Sequence, residues 1–236
     1  MAGLGSRFRK AGYIEPKYMI MAKGKTLFFW SLISLQSFTK STTRYIFIVR
    51  QDDNSREFIS RECKLLGISY FDIVELDHLT DGQATTALFA EPYWKSNEPL
   101  LIYNIDTHVS PDVLYHDYQG EDGWIPCFDA SGDKWSFVKI DEFGLATEVR
   151  EKIRISDNAS IGLYWFSSAA LYVEAYQKYY SRTGNEVKGE RYIAPLYNQL
   201  INDGLMVKIS KIPSKSVHVL GTPEELNQFI KSDYNL

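Results

Sequence analysis

The strongest constraint on the fold is an alternation between short, continuously apolar runs and longer segments with helical spacing. Residues 45–49, 71–76 and 100–104 are β-branched, aromatic and aliphatic runs that read as buried strands. Between and around them, residues 25–38 place Leu27, Phe28, Leu32 and Leu35 at helical spacing, and Phe58, Ile59, Leu65 and Leu66 mark a second helix that Asn54 can cap. Residues 80–90 read as a third helix, and residues 110–118 as a short one opened by Ser110 with Pro111 at its first position. Strands of this kind separated by helices build a mostly parallel sheet covered on both faces, with ligands at the carboxyl ends of the strands. The expectation is an α/β, Rossmann-like fold with a mostly parallel mixed sheet.

The second half changes style. Residues 124–128, 136–140 and 146–150 are short strand candidates, the last two joined by the turn Asp141-Glu142-Phe143-Gly144, and residues 161–166 return to a buried strand. Helices over 168–180 and 191–201, a strand over 206–209 and a last helix opened by Thr222-Pro223-Glu224-Glu225 complete the chain. No repeat or Pro/Gly/Ser-rich linker divides it, so a single domain over residues 1–236 is expected. With 26 Lys plus Arg against 30 Asp plus Glu, the net charge is -4, which gives no electrostatic footprint for nucleic acid or a membrane and leaves room for a local basic site. Cys63 and Cys127 read as buried thiols of a cytoplasmic protein. The most apolar stretch, residues 27–35, is about half the length a bilayer requires.

The most informative segment for chemistry is Ala2-Gly3-Leu4-Gly5-Ser6-Arg7, with Pro16-Lys17 after it. Closely spaced glycines let successive backbone N–H groups turn toward one anion, and Arg7 and Lys17 add charge that phosphate oxygens use. Each candidate also has a plain structural reading. Asp106, after the strand 100–104, can cap a turn; Lys17 can be a solvated lysine; Lys152 is one charge in the run Arg150-Glu151-Lys152-Ile153-Arg154. His78, His116 and His218 share no metal-ligand spacing.

The string MAGLGSRFRKAGYIEPK resembles the opening of the sugar-phosphate nucleotidyltransferases, and further blocks follow in the family's order. These are Gly82-Gln83-Ala84, residues 99–106 ending in Asp106, Glu151-Lys152, residues 160–164, Gly189-Glu190-Arg191-Tyr192 with Pro195-Leu196-Tyr197-Asn198, and Gly221-Thr222-Pro223-Glu224. Within the family the sequence is most similar to the bacterial capsule-biosynthesis branch of the BcbE type. The resemblance implies a Rossmann-like nucleotidyltransferase fold of GT-A type and a Mg²⁺-dependent reaction. In it a nucleoside triphosphate and a sugar phosphate give an NDP-sugar and pyrophosphate, for surface polysaccharide synthesis. It places Gly3, Leu4, Gly5 and Ser6 around the phosphates, Arg7 on the β/γ-phosphates and Lys17 near the α-phosphate. It assigns Asp106 to the metal, Gly82 and Gln83 to the base, and Lys152, Gly162 and Glu190 to the acceptor. It leaves a homo-oligomer open.

Three departures from the family pattern stand out. Relatives carry a strand of about six apolar residues before the glycine loop, whereas Met1 stands where that strand ends, so the first, central strand is expected to be truncated, leaving a gap beside residues 45–49 and 100–104. Val219 occupies the position of a second metal-binding Asp, and Ile153 follows Glu151-Lys152 where many relatives have Pro. Two rival functions follow. Asp106-Thr107-His108 is an imperfect DxD of the kind found in GT-A glycosyltransferases using an NDP-sugar donor, and the missing carboxylate at Val219 suits a non-catalytic nucleotide-binding homologue. The loop with Lys17 favours the nucleotidyltransferase, since a glycosyltransferase donor has no γ-phosphate to hold.

Overall fold

A computed structural model describes residues 1–236. The chain forms two compact units: Met1–Leu79 with Asn104–Tyr115 and Lys215–Leu236, and Thr80–Tyr103 with His116–Ser214.

The first unit is built around a parallel pair of strands, Tyr45–Arg50 and Phe71–Leu76, in register from Tyr45↔Phe71 to Arg50↔Leu76. Helices Leu27–Ile33 and Arg56–Leu65 contribute to its aromatic core, in which the Phe28 ring lies 5.2 Å from Phe47 and 5.7 Å from Phe58. Thr26 starts the first of these helices, its Oγ1 accepting the Phe29 N–H at 3.0 Å. A second cluster gathers Phe8, Leu27, Trp30, Leu220, Leu226 and Phe229. It carries an antiparallel ribbon of Thr107–Val109 and Val217–Val219, followed by helix Pro223–Lys231. His108 is fully buried there, with Nδ1 2.7 Å from the Trp30 carbonyl and Nε2 2.9 Å from the Tyr234 hydroxyl. Burial pushes its pKa down to about 4.

The second unit holds a seven-stranded sheet. Leu100–Tyr103, Leu163–Phe166, Gly123–Asp129, Asn158–Ser160, Ser136–Ile140 and Ala146–Glu151 follow one another in space, and Val207–Lys211 joins Gly123–Asp129. Helices Ala169–Tyr180 and Tyr197–Asn202 contribute Tyr172, Ala175, Tyr176, Tyr197 and Leu200 to the core. Gly123 lets Tyr197 approach, since a Cβ there would meet its Cε1 at 2.6 Å.

The α/β class and the nucleotidyltransferase-type architecture are as expected from the sequence. The pairing is mixed, as expected, but mostly antiparallel rather than mostly parallel: only the pairs Tyr45–Arg50/Phe71–Leu76 and Val207–Lys211/Gly123–Asp129 are parallel, and the other seven pairings are antiparallel. The physical reason is that βαβ crossovers end early. Leu100–Tyr103 pairs with the late strand Leu163–Phe166, and hairpin-linked strands need no helix to reverse direction. Leu100–Tyr103 forms one end of the large sheet, and Tyr45–Arg50 is paired along one edge, with Phe71–Leu76.

Local readings also shift. The 110–118 segment is turn and loop rather than helix, although Ser110 and Pro111 suit a helix start. Leu114 is fully buried at the centre of that loop, and its carbonyl is held by Ser37 Oγ at 2.5 Å. Asn54 adopts a left-handed conformation (φ 45°) and Ser55 takes the first-cap position. The 25–38 helix divides into strand Lys25–Thr26, helix Leu27–Ile33 and a 3₁₀ turn, Gln36–Phe38.

Candidate functional site

In the first unit, the glycine loop leads into a short helix, Ser6–Lys10, with Gly5 left-handed at φ 59°, a conformation costly for any residue with a Cβ. Phe8 is 1% exposed and anchors this turn in the same apolar cluster as Leu220 and Leu226. Arg9 reaches back over the loop, its Nε 3.3 Å from the Leu4 carbonyl and its Nη1 3.4 Å from that of Ile14. Arg7, on the same helix, is exposed; its carbonyl accepts the Ala11 N–H at 3.2 Å, and its guanidinium has no hydrogen bond or ion pair with the protein. Gly3 and Leu4 are exposed, and together with Gly5, Arg9, Lys17 and Arg50 they line a cavity of about 100 Å³.

Pro16 turns the chain into a 3₁₀ turn, Lys17–Met19. Tyr18 is buried and its hydroxyl donates to Asp53 Oδ2 at 3.1 Å, which fixes the turn with Lys17 on its other side. Lys17 Nζ meets Asp106 Oδ2 at 2.8 Å, with the two side chains 19% and 32% exposed. Burial by itself would raise the Asp106 pKa; the Lys17 charge and hydrogen bond outweigh it and hold the carboxyl below its ordinary range. Asp106 is fixed on its other side by the Leu220 N–H, which donates to its carbonyl at 2.8 Å.

Gly221 lies against two carboxylates. A Cβ there would stand 3.3 Å from Glu225 Oε2 and 3.4 Å from Asp106 Oδ2. Val219, the position of the usual second Asp, is instead paired with Thr107 in the ribbon. A hard divalent cation takes one or two carboxylates and completes its shell with phosphate oxygens and water. Asp106, with Glu225 across Gly221, is a donor set of that kind, and no group of three or more His, Cys, Asp or Glu side chains gathers anywhere in the chain. The residues present therefore fit an ion shared with phosphate rather than one caged by protein.

In the second unit, the remaining candidates fall into two linked groups. Gly82 precedes helix Gln83–Leu88 with φ 148° and ψ 179°, and Gln83 is its first residue. A Cβ on Gly82 would lie 2.4 Å from both the N and the O of Arg191, so the two backbones touch. The second group centres on Lys152, which holds a left-handed backbone at φ 56° and whose N–H donates to the Trp135 carbonyl at 2.8 Å. Its ammonium bonds the Tyr192 hydroxyl, lies 4.2 Å from that ring's centroid and stands 3.7 Å from Glu151 Oε1; the Tyr192 hydroxyl in turn donates to Glu190. Burial raises the Glu151 pKa, only partly offset by its Ser136 hydrogen bond and by Lys152. Glu190 itself is exposed at the end of a tight turn whose central residues, Lys188 and Gly189, both have positive φ (55° and 79°). Gly162 is buried, with φ 83° and its N–H donating to Ser160 Oγ at 3.0 Å.

The geometry thus brings Lys17 to Asp106, and Lys152 to Glu190 through Tyr192. Sequence reasoning passed over Tyr192, Arg191, Arg9 and Glu225. Arg191, Tyr192 and Glu225 lie in or next to matched blocks, but only a folded chain shows what their side chains touch.

An α/β fold with a glycine loop, a lysine against the carboxylate that precedes Thr107–Val109, and a half-buried Lys152 beside the buried Glu151 has the make-up of a nucleotidyltransferase. No protein-family model matches the chain, and no curated protein aligns with it. Among solved structures, the nucleoside-diphosphate-sugar pyrophosphorylase from Vibrio cholerae is 38% identical, with 98% of each chain covered and a TM-score of 0.91. The inositol-1-phosphate CTP transferase from T. maritima is similar in fold at 17% identity, with 100% and 95% covered and a TM-score of 0.73. The UDP-glucose pyrophosphorylase from Acinetobacter baumanii shares the fold at 12% identity, with 97% and 89% covered and a TM-score of 0.72. The chain belongs to the nucleoside-diphosphate-sugar pyrophosphorylase family.

Proposed function

We propose that the protein condenses a nucleoside triphosphate with a sugar phosphate to give an NDP-sugar and pyrophosphate. The observation that carries this reading is the Lys17–Asp106 pair, which joins two blocks 89 residues apart into a contact of 2.8 Å. Membership of the pyrophosphorylase family supports it.

In this reaction a phosphate oxygen of the sugar phosphate attacks the α-phosphorus. A new P–O bond forms in line as the bond to the β-phosphate oxygen breaks, and the electron pair leaves with pyrophosphate. Negative charge therefore grows on the leaving group. Arg7, its guanidinium not engaged by the protein, serves the β/γ-phosphates, and the amides of Gly3, Leu4, Gly5 and Ser6 bind beside it. Lys17 neutralises the α-phosphate. Asp106, with Glu225 near it, would hold Mg²⁺, which when bound would supply Lewis-acid neutralisation of phosphate oxygens. Gly82 and Gln83 meet the base. Lys152 receives the acceptor's phosphate, while Glu190 and Gly162 contact the sugar.

No helix is long and apolar enough to cross a membrane. A cytoplasmic setting, where nucleoside triphosphates are made, and a supply role for capsule or surface polysaccharide complete the proposal. The latter rests on the resemblance of Pro195-Leu196-Tyr197-Asn198 and Gly221-Thr222-Pro223-Glu224 to the capsule branch.

The test incubates the protein and Mg²⁺ with CTP, UTP, dTTP or GTP and a panel of sugar phosphates, following pyrophosphate enzymatically and NDP-sugar by mass spectrometry. Pyrophosphate that appears only with both substrates is expected. Arg7→Ala and Lys17→Ala should each lower turnover at least about tenfold, by removing charge stabilisation of roughly 1.4 kcal/mol or more in the transition state. Pyrophosphate release in no combination of substrates overturns the reading.

A further inference from the structure

The Gly82-Gln83 segment and the Glu190–Tyr192 segment, assigned above to the base and the acceptor, are one mechanical piece. Arg191 is the joint. Its N–H donates to the Asp81 carbonyl at 2.8 Å and its carbonyl accepts the Ala84 N–H at 2.9 Å, so its peptide groups clamp Gly82 from both sides. The 2.4 Å that a Gly82 Cβ would leave to the Arg191 N and O shows how little slack this contact has.

The guanidinium meets the same place a second time, through one hydrogen bond and two ion pairs, with Nε itself making no hydrogen bond. Nε stands 3.2 Å from Asp81 Oδ2, Nη2 3.5 Å from Glu186 Oε1, and Nη1 donates to the Tyr176 hydroxyl at 2.9 Å. The group also lies 5.2 Å from the Tyr180 ring centroid. Tyr176 extends the clamp to the helix after Gly82, its hydroxyl 2.8 Å from Thr85 Oγ1, and the Tyr180 hydroxyl donates to the Tyr192 carbonyl at 2.7 Å. The residues flanking Arg191 then run directly into the acceptor group: Glu190 accepts from the Tyr192 hydroxyl, which also bonds Lys152.

We propose that Arg191 is a positioning residue that couples the two substrates' segments, so that ordering the Gly82-Gln83 loop on a nucleotide also sets Glu190, Tyr192 and Lys152 for the sugar phosphate, and the reverse. The inference rests on the substrate assignments of the preceding subsection. Arg191 touches neither substrate in this account; it acts through its peptide and its neighbours. Such a linkage is reciprocal, each ligand improving the other's affinity by the same factor, and couplings of this kind usually amount to about 5- to 150-fold.

The experiment measures the apparent KM of each substrate at low and saturating concentrations of the other, for the wild type, Arg191→Ala, Arg191→Lys and Tyr176→Phe. In the wild type, under conditions where substrate binding equilibrates faster than chemistry so that KM reports affinity, saturating one substrate should lower the other's KM by about fivefold or more. Arg191→Ala should raise both KM values while kcat changes less, and should abolish their mutual dependence. Arg191→Lys, which keeps the charge, should restore part of it, and Tyr176→Phe should weaken it in the same direction. If Arg191→Ala does not fold, the lysine and phenylalanine variants carry the test. A wild type that turns over with independent KM values, or an Arg191→Ala variant that shifts one KM alone, overturns the coupling and leaves the proposed function standing. A wild type without turnover overturns both.

Discussion

Replacing Gly82 by Ala tests the close approach that orders the second unit's candidate residues. Two separate costs apply. At φ 148° and ψ 179° the backbone occupies a region used almost only by glycine, worth about 1–3 kcal/mol for any other residue. The added Cβ would stand 2.4 Å from the Arg191 N and O and 2.9 Å from its C, all backbone atoms held by two hydrogen bonds, so no flexible side chain can swing aside. Forced overpacking of this type costs roughly another 1–3 kcal/mol. The sum, about 2–6 kcal/mol, corresponds to a fall in Tm of several to about 20 °C for a chain of this size. Gly184→Ala is the comparison: it also has positive φ (88°), but a Cβ there meets nothing within 4 Å, so only a conformational cost of the same kind applies. Urea unfolding of the two variants should differ by at least about 1 kcal/mol, the lower bound of the packing cost. Equal stabilities would refute the argument that the Gly82–Arg191 contact is tight, and with it the idea that glycine is needed there for packing.

Asp106→Asn should weaken both activity and the response to Mg²⁺, because Asn keeps the size but loses the charge that an ion needs; an unchanged Mg²⁺ titration would remove Asp106 from the metal site. Lys152→Ala should raise the KM for the sugar phosphate about tenfold or more and that for the nucleotide less, with steady-state kinetics as the check. Stability should fall as pH drops from about 6.5 toward 4. His108 is held neutral by burial with its pKa near 4, so the folded chain binds fewer protons than the unfolded one in that window, and up to about 3 kcal/mol is complete above the unfolded pKa and lost below the folded one. Burial shifts His218 in the same direction. Urea unfolding at pH 7.5 and 5 should show a smaller difference for His108→Gln than for the wild type, and an equal difference would count against this origin.

What the sequence determined by itself was whatever depends on neighbours along the chain. Apolar runs at 71–76 and 136–140 became strands over those residues, and Thr222 caps its helix as its side chain predicts. The ordered blocks around Lys17, Asp106 and Lys152 pointed to the family before any coordinates, because motif spacing survives in one dimension. Strand direction did not. Whether residues 100–103 pair with an early strand or with 163–166 is set by which apolar faces can be buried together, and that depends on the whole chain. The 110–118 segment makes the same point: Ser110 and Pro111 satisfy the local rule for a helix start, yet burying Leu114 in a loop wins. The site followed this division. Residue types were legible, but the Lys17–Asp106 pair, the Glu225 carboxylate across Gly221 and the Arg191 clamp on Gly82 join residues remote in sequence. Only tertiary packing decides those contacts, since their energies depend on distances that no local pattern encodes.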